Sequence, residues 1–286
     1  MFDIDTTKAQ QLLKSFQLPV KPDILAKIQQ EESKPEPSAS VFADIITQDL
    51  GLSSAVLKAI NSPVFGLKRT ITDIRQSVIL LGCKNISNLV SFFELQKAFN
   101  KPSAISNESF WETTVDIANI MTLIIEHLSL KSVCPIEDAY AFGLFRDCGM
   151  IIMAQKYPNY AQIITDAESD YDRVFTDVEE VHYPVNHAVL GYYISNSWHL
   201  PKTLCNLILR HHELSLIDSN DMSQEQKTLY AVANIATNIH SHITKFTDYS
   251  EWNLSREKVL SLLRLSDYEL NEMEEEIKEA FTHLYE

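Results

Sequence analysis

A chain of 286 residues, 45% hydrophobic and 22% charged, has enough apolar mass for a buried core, and its six glycines are too few for a turn-rich β fold. Its net charge of −15 repels phosphate backbones, and no uninterrupted apolar run reaches the roughly 20 residues of a membrane span. Cys83, Cys134, Cys148 and Cys205 form no C-x-x-C pair and sit in or beside apolar segments, the pattern of reduced, buried thiols. Asp3 and Asp5 precede any apolar run, so no signal peptide is read and a cytoplasmic location is expected.

Thr6 to Phe16 reads as a short helix stopped by Pro19, and Lys21 to Glu32 as the next, with Pro22 in its first turn. Beyond the proline-broken loop Ser33 to Ser38, Ser40 is read as the N-cap of Val41 to Gln48. Leu52 to Asn61 follows. Thr72 is expected to cap Asp73 to Leu81, which Gly82 ends, and Ile86 to Phe99 closes this half. Ala43 to Asn61 has the outline of a helix-turn-helix, yet between Gln48 and Pro63 the single base is Lys58, set against Asp49; nucleic acid is not an expected partner.

The polar stretch Lys101 to Asn107 marks the expected boundary. It divides the chain into an N-terminal helical half (1–105), a second helical half (106–245) and an acidic helical extension (246–286). In the second half, Phe110 to Leu128 and Ile136 to Lys156 read as two long central helices. Pro158 opens another, Asp166 to Asp172 is an acidic loop, and Val174 to Tyr183 is ambiguous between helix and strand. Pro184 to Trp198, Pro201 to Glu213 and Ser223 to Thr244 are helical, and Ser255 and Ser266 are read as caps of two closing helices. Acids crowd residues 166–180 and 266–286 and are read as solvated faces. The fold class is all-α, a compact bundle of crossing helices.

Several separated motifs then fall in one order: Asp49 to Ser62, Ile71 to Gly82, Phe110-Trp111, Gly143 to Gly149 (with Arg146-Asp147 inside), His187 to Gly191, Trp198 to Pro201, and His211-His212-Glu213. Together, over roughly residues 15 to 240, they resemble the HDOD family, the HD-related output domains of bacterial signalling proteins. The resemblance implies an HD-like multi-helix bundle with an N-terminal helical subdomain. It also implies descent from phosphohydrolases that hold a divalent ion with a histidine, a His-Asp pair and a distant aspartate. Against that pattern, Thr113 stands where the first histidine is expected, Arg146 replaces the histidine of the pair, and Asn234 replaces the final aspartate; Asp147 is retained. Arginine stays protonated and presents donors only, so it ligates no metal, and a pair with a carboxylate is its expected role.

His187, His211 and His212, with Asp147, resemble the second-metal ligands of the related HD-GYP phosphodiesterases. Three imidazoles and a carboxylate suit Fe, Zn, Mn or Ni. The glycine-tyrosine-proline segment that those enzymes carry after His-His-Glu is absent, since Leu214 to Asp218 follows here. His211 and His212 also suit a plain structural role, bonding the last carbonyls of a helix. Gly191 is expected to permit a close backbone approach beside His187. Cys148 is read as packing, and no P-loop or serine-hydrolase elbow occurs.

Two functional readings stay open. In the first, the chain is a non-catalytic signalling or regulatory module with no cofactor, recognising a protein partner or small ligand in a groove between its halves. In the second, it is a metal-dependent phosphohydrolase or phosphodiesterase. That enzyme would use a single ion on Asp147, His187, His211 and His212, with Arg146 binding substrate phosphate. A homo-oligomeric module is a third expectation.

Overall fold

The computed structural model describes residue 16, residues 18–67 and residues 69–284. Apart from Phe16, the helix expected from Thr6 lies outside the described residues. Among those residues the structure is helical throughout, without strands. The N-terminal half comprises α1 (Asp23–Glu32), α2 (Ala39–Ile46), α3 (Leu50–Ile60), α4 (Ile74–Leu81) and α5 (Cys83–Ala98). The second half comprises α6 (Asn107–His127), α7 (Ile136–Phe145), α8 (Cys148–Lys156), α9 (Tyr160–Glu168), α10 (Phe175–His182), α11 (His187–Ser197), α12 (Lys202–Arg210) and α13 (Gln224–Lys245). Then come α14 (Trp252–Leu263) and α15 (Asp267–His283). No single described helix is long and apolar enough to cross a membrane; α4 and α5 reach that length only together and are bent by 119°.

Side-chain caps set several boundaries and correct the sequence reading. Ser38, rather than Ser40, accepts the first-turn N–H of α2, and Asp73, rather than Thr72, caps α4. Each residue precedes a helix in extended backbone, where a short acceptor reaches the open N–H groups. Ser266 caps α15 in a reciprocal capping box with Glu269, as expected. Ser255 is no cap: it is buried inside α14 and donates to Asn234 Oδ1 at 2.9 Å. Gly82 ends α4 at φ +82°, and α5 starts directly behind it, three residues earlier than its apolar spacing suggests.

The two halves share one core. Helix α5 packs on α7, and Phe92 meets Trp111 and Phe145 edge-on at 5.6 and 6.0 Å. Trp198, at the end of α11, donates its indole N–H to the Pro19 carbonyl, and Gln29 donates back to the Trp198 carbonyl. In the second half α6 packs against α7, α13 and α15, while α11 lies between α8 and α12. All four cysteines are free; Cys134, Cys148 and Cys205 are buried and Cys83 is half-buried.

The chain departs most from its sequence reading at Ile136 to Lys156. This is not one helix. It breaks at Arg146 and Asp147, where Asp147 takes φ −99° and ψ 8° and α8 begins afresh. Gly149 explains why the new helix takes its course. A Cβ on Gly149 would stand 1.9 Å from the His187 carbonyl oxygen and 2.7 Å from the Gly191 nitrogen. Helices α8 and α11 therefore touch backbone to backbone, closer than any side chain allows. Gly191 faces side chains instead, Ile208 at 2.9 Å and Cys148 at 3.4 Å, so the expected close approach belongs chiefly to Gly149.

Candidate metal centre

Three interruptions of regular structure build the site. Asp147 occupies the cap position of α8, yet its carboxylate makes no cap bond there. His187 is the first residue of α11, whose N-cap is Asn186. Helix α12 ends at Arg210, short of the Glu213 expected from sequence, so His211 and His212 occupy the turn behind it. Inside a helix, consecutive residues point about 100° apart. In this turn the two rings converge, with centroids 4.1 Å apart.

One atom from each of Asp147, His187, His211 and His212 lies within 4.8 Å of all the others. His187 Nε2 is 3.3 Å from His211 Nε2 and 3.1 Å from His212 Nε2. Asp147 Oδ1 is 3.1 Å from His211 Nε2 and 3.8 Å from His187 Nε2. A tetrahedron of bonds of about 2.0–2.1 Å has edges of about 3.3 Å, so the set has the dimensions of a single transition-metal sphere.

The outer nitrogens fix which end of each ring faces inward. His187 Nδ1 meets Glu179 Oε2 at 2.7 Å, and the same oxygen accepts the His187 backbone N–H. His212 Nδ1 meets Glu251 Oε1 at 2.6 Å, and that oxygen also accepts the Phe175 N–H. His211 Nδ1 meets the Ile208 carbonyl at 2.7 Å. Each partner is an acceptor, so each Nδ1 carries the proton and donates. Three bare Nε2 lone pairs and a carboxylate oxygen are thereby turned on one another, the carboxylate–histidine arrangement of metal sites. The residues fit a divalent transition ion.

Electrostatics follow from burial and neighbours. Burial disfavours the Asp147 anion, but the Arg146 guanidinium, with the charge of protonated His187, outweighs it and holds the carboxyl well below its usual range. Burial and the charge of His212 push His211 down to about 4; burial and His187 push His212 down to about 3. Burial also opposes a His187 cation, yet Glu179, Asp147 and Glu251 raise its pKa above the ordinary value. Glu251 is raised to about 7, mainly by burial. Between pH 4.5 and 6.5 the unfolded chain thus takes two protons on His211 and His212, while the folded chain keeps one on Glu251. The unfolded state binds one proton more, so these three groups make the ion-free protein more stable as pH rises, by roughly 1.4 kcal/mol per unit. Denaturant unfolding in chelator at about pH 5 and 6, compared with Glu251→Gln, measures the Glu251 share: the variant's slope should be steeper by about the same amount, and an unchanged slope would contradict the proton placed on Glu251.

Of the residues singled out from sequence, Thr113, Arg146 and Asn234 line the same cavity as the cluster, a space of about 610 Å³. Arg146 makes the expected carboxylate pair: Nε donates to Asp147 Oδ2 at 2.9 Å, and Nη1 to Thr237 Oγ1 at 2.6 Å. This leaves Oδ1 for the histidines. Asn234 serves the scaffold, donating to the Tyr230 carbonyl and accepting from Ser255. The structural role foreseen for His211 and His212 holds in part, because His211 does bond a carbonyl of α12, whereas His212 reaches Glu251.

Sequence reasoning missed Glu179, Glu251 and Phe175. The acids of residues 166–180 were read as a solvated face, but Glu179 is 0% exposed and also accepts from the Tyr160 hydroxyl. Glu251, from the acidic extension, is likewise buried. The one available signal was local: Val178 and Glu179 lie on the inward face of an amphipathic α10. Phe175 stacks on His212 and meets His187 edge-on, screening the cluster from water. Substituting Glu251→Gln, which keeps shape and removes charge, is expected to weaken ion binding 10–100-fold with the fold retained. Calorimetric titration checks this, and an affinity within twofold of the parent would remove Glu251 from the site.

A profile of the HDOD domain family matches residues 18–214. An uncharacterized protein of Treponema pallidum (strain Nichols) is 23% identical over 197 residues, covering 69% of this chain; the chain spans 38% of that relative's length. An HDOD domain protein of unknown function from Geobacter sulfurreducens has a TM-score of 0.69 at 22% identity, over 99% of this chain and 97% of that one. A Shewanella amazonensis SB2B protein described as a candidate phosphohydrolase has a TM-score of 0.67 at 20% identity, over 94% and 93%. A Marinobacter aquaeolei VT8 protein described as a candidate signal transduction protein has a TM-score of 0.68 at 16% identity, over 96% of this chain and 60% of that one. At these identities the structural likeness carries the fold alone.

Proposed function

The chain belongs to the HDOD family, and from that premise we propose that it is a regulatory module holding one divalent transition-metal ion on Asp147, His187, His211 and His212. The observation that carries this reading is the orientation of the three rings. Glu179, Glu251 and the Ile208 carbonyl hold each Nδ1 as a donor, so every Nε2 presents a lone pair to the same point. A proton on His187 relieves one of these contacts; a cation relieves them all. The bound ion would supply a Lewis acid beside the cavity.

Charge argues for regulation over phosphate hydrolysis. Glu112, Asp116, Glu168 and Asp248 line the cavity against Arg146 and Lys245. Lys245 is paired with Glu168 at 2.7 Å, and Arg146 with Asp147 and Thr237. Beyond the ion's own charge, a phosphate entering here meets more carboxylates than side-chain cations, and both of those cations are already engaged. The phosphohydrolase reading keeps one supporting observation, the guanidinium of Arg146 beside the cluster.

Metal analysis of protein prepared without chelator tests the proposal. About one equivalent of iron, zinc, manganese or nickel, with no turnover of a chromogenic phosphodiester by the loaded protein, is the expected result. Failure to take up any of these ions would overturn the ion site; turnover dependent on the ion would replace regulation with hydrolysis.

A further inference from the structure

Apart from the ion site, a groove of about 1220 Å³ runs between the two halves, with Leu52 and Ala59 of α3, Phe93 of α5, Trp111 and Val115 of α6 and Leu284 after α15 among its apolar lining. We propose that this groove docks a basic amphipathic helix of a partner protein. Its volume exceeds the ~300–1,000 Å³ usual for small-ligand pockets, and its floor is apolar, as the face of a guest helix requires.

Charge selects the guest. On the opposite side of the lining, Lys97 bonds Asp49 at 2.9 Å and lies 3.7 Å from Glu94, so those charges largely answer one another. Along the rim, Glu108, Glu112 and Asp116 follow at four-residue spacing on α6, beside Trp111 and Val115. Four residues advance a helix by about 6 Å, so the three carboxylates form one row beside the apolar floor. Lys58 is the one further base on the lining, and Asp116 also lies 3.7 Å from His240. A guest helix with an apolar stripe and Lys or Arg at the same spacing matches both floor and rim. A second copy of this chain fits less well, because an isologous contact would bring two acidic rows onto one interface.

The test uses the full chain and two 14-residue helical probes without tryptophan, one of leucine and lysine, the other of leucine and glutamate. Trp111 lines the groove, so its fluorescence reports occupancy, with calorimetry as the second readout. The lysine probe is expected to bind at least tenfold tighter than the glutamate probe. The pair Glu108→Lys and Glu112→Lys, both exposed, should weaken it at least tenfold. The same charge change at Glu36 and Asp44, exposed residues outside the groove, should leave binding within twofold. Equal binding of both probes, or equal loss in both pairs of substitutions, would overturn the groove as the docking site. So would a dimer in sedimentation that the Glu108 and Glu112 substitutions dissociate.

Discussion

Protein carrying His211→Ala is expected to fold, to lose its ion, and to stop responding to chelator. The ring supplies one of four converging atoms and is 8% exposed, and among the described residues no fifth ligand joins the cluster. Removing a residue that merely orients a ligand lowers affinity 10–100-fold, so deleting the ligand itself should exceed 100-fold. Stability separates this outcome from a structural role. An ion at about 1,000 times its Kd stabilises the native state by about 4 kcal/mol, and the parent should lose that amount in chelator. The variant has nothing to lose. In the ion-free state the two should differ by only about 1 kcal/mol. The substitution gives up the bond to the Ile208 carbonyl but also removes a lone pair held 3.1 Å from Asp147 Oδ1. Metal analysis and thermal unfolding with and without chelator measure both. A variant that keeps its ion, or a parent indifferent to chelator, would contradict the assignment.

Gly149→Ala is expected to be among the most damaging single-methyl changes in the chain. The new Cβ would meet the His187 carbonyl oxygen at 1.9 Å and the His187 carbonyl carbon at 2.8 Å. These are backbone atoms of the first turn of α11, and no rotamer change relieves them. Overpacking a core ordinarily costs about 1–3 kcal/mol, and a clash with fixed backbone belongs at or above the top of that range. Helix α11 must move away from α8, carrying His187 off the point where the other three ligands converge. Loss of at least about 3 kcal/mol of stability is therefore expected together with a weakened ion site. Gly191→Ala should be milder, because the nearest atom its Cβ meets is the Ile208 Cγ2 methyl at 2.9 Å. Denaturant midpoints of the two variants rank them; equal midpoints would mean that the α8–α11 contact is looser than described.

Part of the site was legible in the residues themselves. Asp147, His187, His211 and His212 are of metal-ligating type and stand in motifs of the family order, and the structure brings all four together. The Arg146 pair followed from charge alone, since a buried guanidinium needs an acceptor and Asp147 is its neighbour. The carboxylates that aim the rings were not legible. Glu179 sits in a run of acids, marked only by the amphipathic face of α10, and Glu251 lies 39 residues beyond His212; nothing in local spacing says which acid meets which ring.

Apolar periodicity, proline and glycine act over a few residues, so the helical class, most helix positions and the inward faces are readable from the chain alone. So is the inventory of ligands. Where helices stop for reasons outside themselves is a matter of packing. Ile136 to Lys156 has a continuous helical pattern, yet it breaks at Asp147, where packing against α11 redirects the chain. Helix α12 stops at Arg210, and the turn behind it points two adjacent histidines at one place. Those two breaks, with the backbone contact at Gly149, bring atoms 64 residues apart to 3.1 Å. Convergence of this kind is a property of how helices pack, and local propensity carries no record of it.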